Sequence, residues 1–201
     1  MEIAINYMGL ISEGNQKAFQ SLVYKYSDPL ILFSIGFVRK YEIAEEIVSD
    51  AFVTLWNQRS KIQEIRDLKS YLYILVRNGS ISYLRKTSHR KEVLLDDIEE
   101  YFTLPVTGPE TDDITEEVLA RVNIAIDSLP PKCKIVFTLA KVQGLKYKEI
   151  AEILDISVKT INNHIANALI HISQSLHEDQ KTSGAHFGRI ASLLFFWFDV
   201  N

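Results

Sequence analysis

The chain has 201 residues, a formal net charge of −4 at pH 7 and 47% apolar content, enough to fill one large core or two small ones. Its 24% of charged residues argues against wholesale disorder. A single cysteine, Cys133, excludes an internal disulfide framework and a thiol metal cluster, and no apolar run approaches the roughly 18 residues a membrane span needs.

The N-terminus, MEIAINYMGL, has no basic stretch ahead of an apolar run, so no signal peptide is expected. A reducing cytoplasm is the default compartment. Charge is segregated along the chain: residues 1–90 balance to +3, residues 91–127 to −9 and residues 128–201 to +2.

Helices are expected throughout the first ninety residues. Asn15 can cap one whose apolar face is Ala18, Phe19, Leu22, Val23 and Tyr26, at spacings of three and four. Asp28 followed by Pro29 reads as the start of a second, because proline has no N–H to satisfy in the first turn. A third runs from about Glu42 to Trp56 on the stripe Ala44, Ile47, Val48, Ala51, Phe52 and Leu55. Its opposite face carries Glu42, Glu45, Glu46, Ser49 and Asp50, either a solvated face or a docking face for a basic or polar partner helix. After the polar connection NQRSKIQEIRD, a long helix spans roughly Leu68 to Lys86, burying Leu72, Leu75, Val76, Ile81 and Leu84.

Between Glu92 and Ala120 there is no Lys or Arg, but there are ten acidic residues together with Pro105, Gly108 and Pro109. Like-charge repulsion and prolines favour an extended linker there. Four further helices are expected from about Thr115. The second carries Pro131 near its start and Gly144 beyond its end, matching the usual preferences of the two termini. Ser157 caps the fourth, whose buried face is Ile161, Ile165, Ala168, Leu169 and Ile172, one stripe at helical spacing.

The last two helices, joined at DIS, have helix-turn-helix proportions, with Ile150, Ala151, Leu154, Ile156 and Ile161 as the expected clamp. The outward face of the final helix then shows Lys159, Thr160, Asn162, Asn163, Ala166 and Asn167. A lysine can neutralise a phosphate and an asparagine can bond an adenine edge. The alternative is a helical hairpin with a solvated polar face. In SYLYILVRNGSISYLRK, Tyr71, Tyr73 and Tyr83 alternate with Arg77, Arg85 and Lys86, the combination that single strands need and equally one that core or boundary tyrosines produce. His164 and His171 have no metal-spaced partners, so no metal and no cofactor are expected.

AFQSLVYKYSDPL, IAEEIVSDAFVTLW, LKSYLYILVRNGSISYLRK and the stretch from LPPKCKIVF to TINNHIANAL resemble, in this order, the extracytoplasmic-function sigma factors of the sigma-70 family. The resemblance covers nearly all of residues 10–90 and 115–175. It implies an all-α protein of two small helical domains joined by an acidic linker: region 2 over 1–90, linker over 91–114, helix-turn-helix region 4 over 115–178, apolar tail over 179–201. It further implies polymerase contacts at Glu46, Ser49 and Asp50, and a −10 surface at Lys61, Arg77, Asn78, Arg85 and Lys86. Lys61 lies in the segment from Asn57 to Asp67, which resembles the one that captures a flipped base. The −35 surface falls on Lys159, Thr160, Asn162, Asn163 and Asn167. Implied partners are the RNA polymerase core (clamp and flap), promoter DNA and an anti-sigma factor, often membrane-anchored; no small-molecule substrate is implied.

This sequence departs from the family where Ser49 replaces a usual glutamine, Ser82 a usual aspartate and Asn162 a frequent glutamate. The run IASLLFFWF at 190–198 is similar to the short apolar endings of such factors from Bacteroidetes. Two other functions compete. One is a stand-alone regulator with a helix-turn-helix, against which residues 1–114 lack a strand–helix alternation. The other is a helical protein-binding adaptor. No nucleophile–base pair or glycine-rich phosphate loop points to an enzyme.

Overall fold

The computed structural model describes residues 7–88 and 116–180, and every element among them is helical. The acidic stretch 91–114 and the apolar run 190–198 lie outside the described residues. The chain divides into two units, Met1–Asp97 and Ile98–Asn201. Among the described residues no helix is long and apolar enough to cross a membrane.

The first unit holds α1 (Tyr7–Ser12), α2 (Gln16–Val38), α3 (Tyr41–Asn57), a 3₁₀ turn (Arg59–Glu64) and α4 (Leu68–Ser88). Asn15 opens α2 as expected, its Oδ1 accepting the Ala18 N–H at 3.0 Å. The break expected at Asp28–Pro29 does not occur: α2 runs straight past Pro29. Proline removes one backbone bond, but the buried stripe stays in phase across it, from Ala18 and Leu22 to Leu30, Phe33 and Phe37. Packing of that stripe on α3 and α4 outweighs the local preference. α2 ends instead at Arg39, in the left-handed region at φ 58, whose N–H returns to Ile35 O at 2.9 Å.

Leu30, Phe33, Ala44, Val48, Leu55, Leu72 and Val76 fill the core between α2, α3 and α4. Leu75 and Leu84, expected inside, are only half-buried. One polar tie crosses this core: Ser80 Oγ donates to Val76 O at 2.9 Å and lies 3.0 Å from Ser34 Oγ, so the Ser34 hydroxyl is left to donate. The polar connection after α3 is not a plain loop, because its Ile62 is completely buried and winds it into the 3₁₀ turn.

The second unit holds α5 (Glu116–Asp127), α6 (Pro131–Phe137), a π-helical turn (Thr138–Val142), α7 (Tyr147–Leu154) and α8 (Val158–Gln180). α8 packs on α5, α6 and α7. Lys134, 2% exposed, makes an ion pair with Asp127 at 2.9 Å, joining the end of α5 to α6. Gly144 takes φ 63 beyond the π turn, a conformation glycine adopts without steric cost.

Candidate nucleic-acid interface

The turn between α7 and α8 is three residues, Asp155 to Ser157. Asp155 closes α7 in the left-handed region at φ 57, and Ser157 Oγ accepts the Thr160 N–H at 3.0 Å, satisfying one of the free donors at the start of α8. Ile150, Ile153, Leu154 and Ile161 are buried between the two helices. Ala151 and Ile156, expected beside them, are half-buried, and Ile153 takes the inner place.

All five residues expected on the buried stripe of α8, from Ile161 to Ile172, are buried. The opposite side exposes Lys159, Asn162, Asn163, Ala166 and Asn167, with Thr160 half-buried. Thr160 is also partly occupied, its Oγ1 lying 2.8 Å from Ser157 Oγ. Asn162 Nδ2 donates to Val158 O at 3.0 Å. The strip thus offers one ammonium and a row of amides, the groups that meet phosphates and base edges.

Behind it, His164 Nδ1 lies 3.6 Å from Cys133 Sγ of α6, and His171 Nε2 lies 3.3 Å from Ser128 Oγ. Burial pushes the Cys133 thiol up, which keeps it protonated and unreactive. Burial, helped by the Lys132 charge, holds the His164 imidazole below the usual histidine range. Among the described residues no group of three His, Cys, Asp or Glu side chains could hold a metal.

In the first unit, α4 exposes Asn78, Arg85 and Lys86 and half-buries Arg77. Tyr73 does not join them. It is 1% exposed, edge-on to Phe33 with ring centroids 5.0 Å apart, and cannot stack on a base. Its hydroxyl is buried without a hydrogen-bond partner, and that burial, with Tyr26 nearby, raises its pKa. Tyr71 and Tyr83 are half-buried, and the Tyr71 hydroxyl lies 3.3 Å from Gln58 Oε1.

Glu46, Ser49 and Asp50 are exposed on α3. Glu46 and Asp50 also line a cleft between α3 and α4 whose other wall is Gly79, Ser82, Tyr83 and Lys86, over an apolar floor of Ile47 and Leu75. Lys86, which the resemblance assigns to DNA, therefore shares a cleft with two residues assigned to polymerase. Gly79 allows the approach: a Cβ there would fall 2.8 Å from Ile47 Cγ2. A glycine inside a helical pattern marks such close approaches, and that signal was present in the sequence.

Lys61 is exposed on the 3₁₀ turn. Beside it the Arg59 guanidinium lies over the Trp56 ring, 4.9 Å from the centroid, and its Nη1 donates to Trp56 O at 3.1 Å. Spacing alone could not pair Trp56 with Arg59, because a helix end intervenes.

Residues 11–90 match the family model described as Sigma-70 region 2, and residues 121–172 match the one described as Sigma-70, region 4. The ECF RNA polymerase sigma-E factor of Haemophilus influenzae is 27% identical over 165 residues, spanning 79% of this chain and 87% of that relative. The RNA polymerase sigma-H factor of Pseudomonas aeruginosa is 24% identical over 173 residues, spanning 83% and 90%. The sigma factor RpoE from Bartonella quintana, solved in complex with the anti-sigma factor NepR, shares the fold with a TM-score of 0.52 at 20% identity, over 80% of this chain and 98% of that one. Two regions of one family thus follow each other in the family's order, one in each structural unit, and relatives align across both: the chain belongs to the sigma-70 family, as an RNA polymerase sigma factor of the extracytoplasmic-function type.

Proposed function

We propose that the two units divide the work of promoter recognition. Residues 1–90 act as region 2: the acidic face of α3, with Glu46, Ser49 and Asp50, docks on the polymerase clamp. Lys61, Arg77, Asn78, Arg85 and Lys86 meet the −10 element as it melts. Residues 115–178 act as region 4, where α8 reads the −35 element through Lys159, Thr160, Asn162, Asn163 and Asn167 and the unit rests on the flap. Residues 91–114 connect the two, and residues 179–201 form a tail whose apolar run supports a Bacteroidetes-like assignment.

The observation that carries this reading is the exposed amide strip of α8, set against a fully buried opposite stripe behind a capped three-residue turn. The reading assigns no catalysis to the chain and places it in the cytoplasm, where polymerase and promoter are. An anti-sigma factor, of the kind that a solved relative is bound by, is the proposed regulator.

Run-off transcription with core polymerase over a genomic promoter library tests the reading. Specific starts should appear only when chain and core are both present. Charge reversal of Glu46 and Asp50 to lysine should reduce holoenzyme assembly while circular dichroism stays unchanged, since exposed side chains contribute little to stability. Specific promoter binding by the chain alone, with no effect of core, would favour a stand-alone regulator instead.

A further inference from the structure

The Arg59–Glu64 turn carries groups proposed to meet a melted strand, and its shape is fixed from several sides. Ile62, within the turn, is completely buried, as is Ile11 of α1, and α1 packs against the turn. Next to these, Gln63 Nε2 donates to Ser12 Oγ at 3.0 Å, while the Ser12 hydroxyl donates to Gly9 O at 2.7 Å. One serine thereby ties the turn to the body of α1. At the start of the turn Arg59 is held on Trp56. Just beyond its end Asp67 caps α4 by accepting the Lys69 N–H at 3.0 Å. What remains facing outward is Ser60, Lys61 and Glu64: a hydroxyl, an ammonium and a carboxylate, able to bond the edge of an unpaired base and its phosphate.

We propose that α1 is a positioning element for single-strand capture, and that Ile11 and Ser12 are its positioning residues. They hold the turn in the shape that presents Ser60, Lys61 and Glu64 to an unstacked promoter base. Binding then does not have to order the turn, and a preorganised site keeps the affinity that ordering would consume. The proposal rests on the promoter-recognition function proposed above and deepens its −10 side.

The test uses the full chain, free and assembled with core polymerase, in three variants: Ile11→Ala, Ser12→Ala and Ser12→Thr. Three quantities are read: capture of a single-stranded −10 oligonucleotide by holoenzyme, affinity for core, and amide exchange across the turn in the free chain. Ile11→Ala should weaken capture on the order of tenfold, roughly the effect of having to order one or two more side chains on binding. Ser12→Ala should weaken it less, and Ser12→Thr, which keeps the hydroxyl, should hold the parent value. Affinity for core should stay unchanged while exchange across the turn speeds up in both alanine variants.

Parent-like capture by both alanine variants would overturn the proposal. So would loss of capture and core affinity together, in step with the unfolded fraction, because α1 would then only support the fold. A parent holoenzyme that captures no −10 strand would overturn the underlying function, and the proposal with it, and that result differs from a variant-specific one.

Discussion

Asn162 and Asn163 are neighbours in sequence but differ in what they can still offer a base. The Asn162 amide already gives a hydrogen to Val158 O, whereas Asn163 is exposed. Asn163→Ala should therefore relax preference at one −35 position by about 1–3 kcal/mol, with Asn162→Ala doing less. Lys159→Ala should weaken every promoter alike and lower the salt slope by about one. Holoenzyme titrations on a panel of singly substituted promoters, at two salt concentrations, check both. His164 gives a pH prediction. Its folded pKa is lowered, so the unfolded chain takes the proton first. Stability is full above the unfolded value near 6.5 and falls as pH drops toward the folded one. Thermal unfolding should show a loss as pH drops through and below the unfolded value near 6.5, part of which disappears in His164→Gln; equal slopes in the two proteins would refute it. Sequence spacing gives His164 no neighbour, because Cys133 is 31 residues away and only the packing of α6 on α8 brings the pair together.

Between elements, the α3–α4 contact depends on Gly79. Gly79→Ala puts a methyl 2.8 Å from Ile47 Cγ2, on a β-branched side chain that is stiff at χ1. The variant should lose about 1–3 kcal/mol, as overpacked cores do, read by chemical denaturation. Ile47→Ala in the same background should return part of that loss, giving a non-additive cycle; simple additivity would mean that the helices had moved apart instead. The element pattern was largely legible in the sequence, because apolar stripes at helical spacing survive packing unchanged, as on α3 and α8. What sequence reading missed follows from long-range burial. Pro29 failed to end α2 because the stripe on either side of it faces one core. α1 and the 3₁₀ turn escaped notice because each has a single fully buried isoleucine, Ile11 and Ile62, too few to make a period. The place of Tyr73 stays open in the sequence for a related reason, since aromatic residues interspersed with cations look the same whether they face the core or solvent.

For the whole molecule, charge decides how it meets DNA. Residues 91–127 carry a balance of −9, between stretches of +3 and +2. Non-specific affinity comes mostly from counterion release by cationic contacts, and the acidic segment ahead of α5, residues 91–114 with a balance of −7, should compete for those cations at high effective concentration. The free chain should barely bind duplex promoter near about 150 mM salt, while holoenzyme, which adds the polymerase's own contacts, should bind it specifically. Deleting residues 92–113 should strengthen binding by the free chain and impair initiation. Filter binding and run-off assays on the two proteins read the two effects, and a deletion that leaves free-chain affinity unchanged would remove the linker from the account. The presence and order of the two regions were legible from the family resemblance of the sequence motifs, while the stripes alone showed only helices. The roles of single side chains were less so, as Lys86 shows by lining the cleft with Glu46 and Asp50.

The stack of Arg59 on Trp56 also has an optical consequence. The chain has two tryptophans, so Trp197→Phe leaves one indole, held by the Phe19 ring at 4.8 Å and covered by the Arg59 guanidinium at 4.9 Å. A cation over the ring interacts with its π electrons, and the fluorescence of that indole therefore depends on whether the arginine stays in place. A strand whose phosphates draw the guanidinium away should change the emission with no dye attached. Stopped-flow mixing of this single-tryptophan chain with a short −10 oligonucleotide at low salt would then time the first encounter of the turn with DNA from a signal already built into the protein.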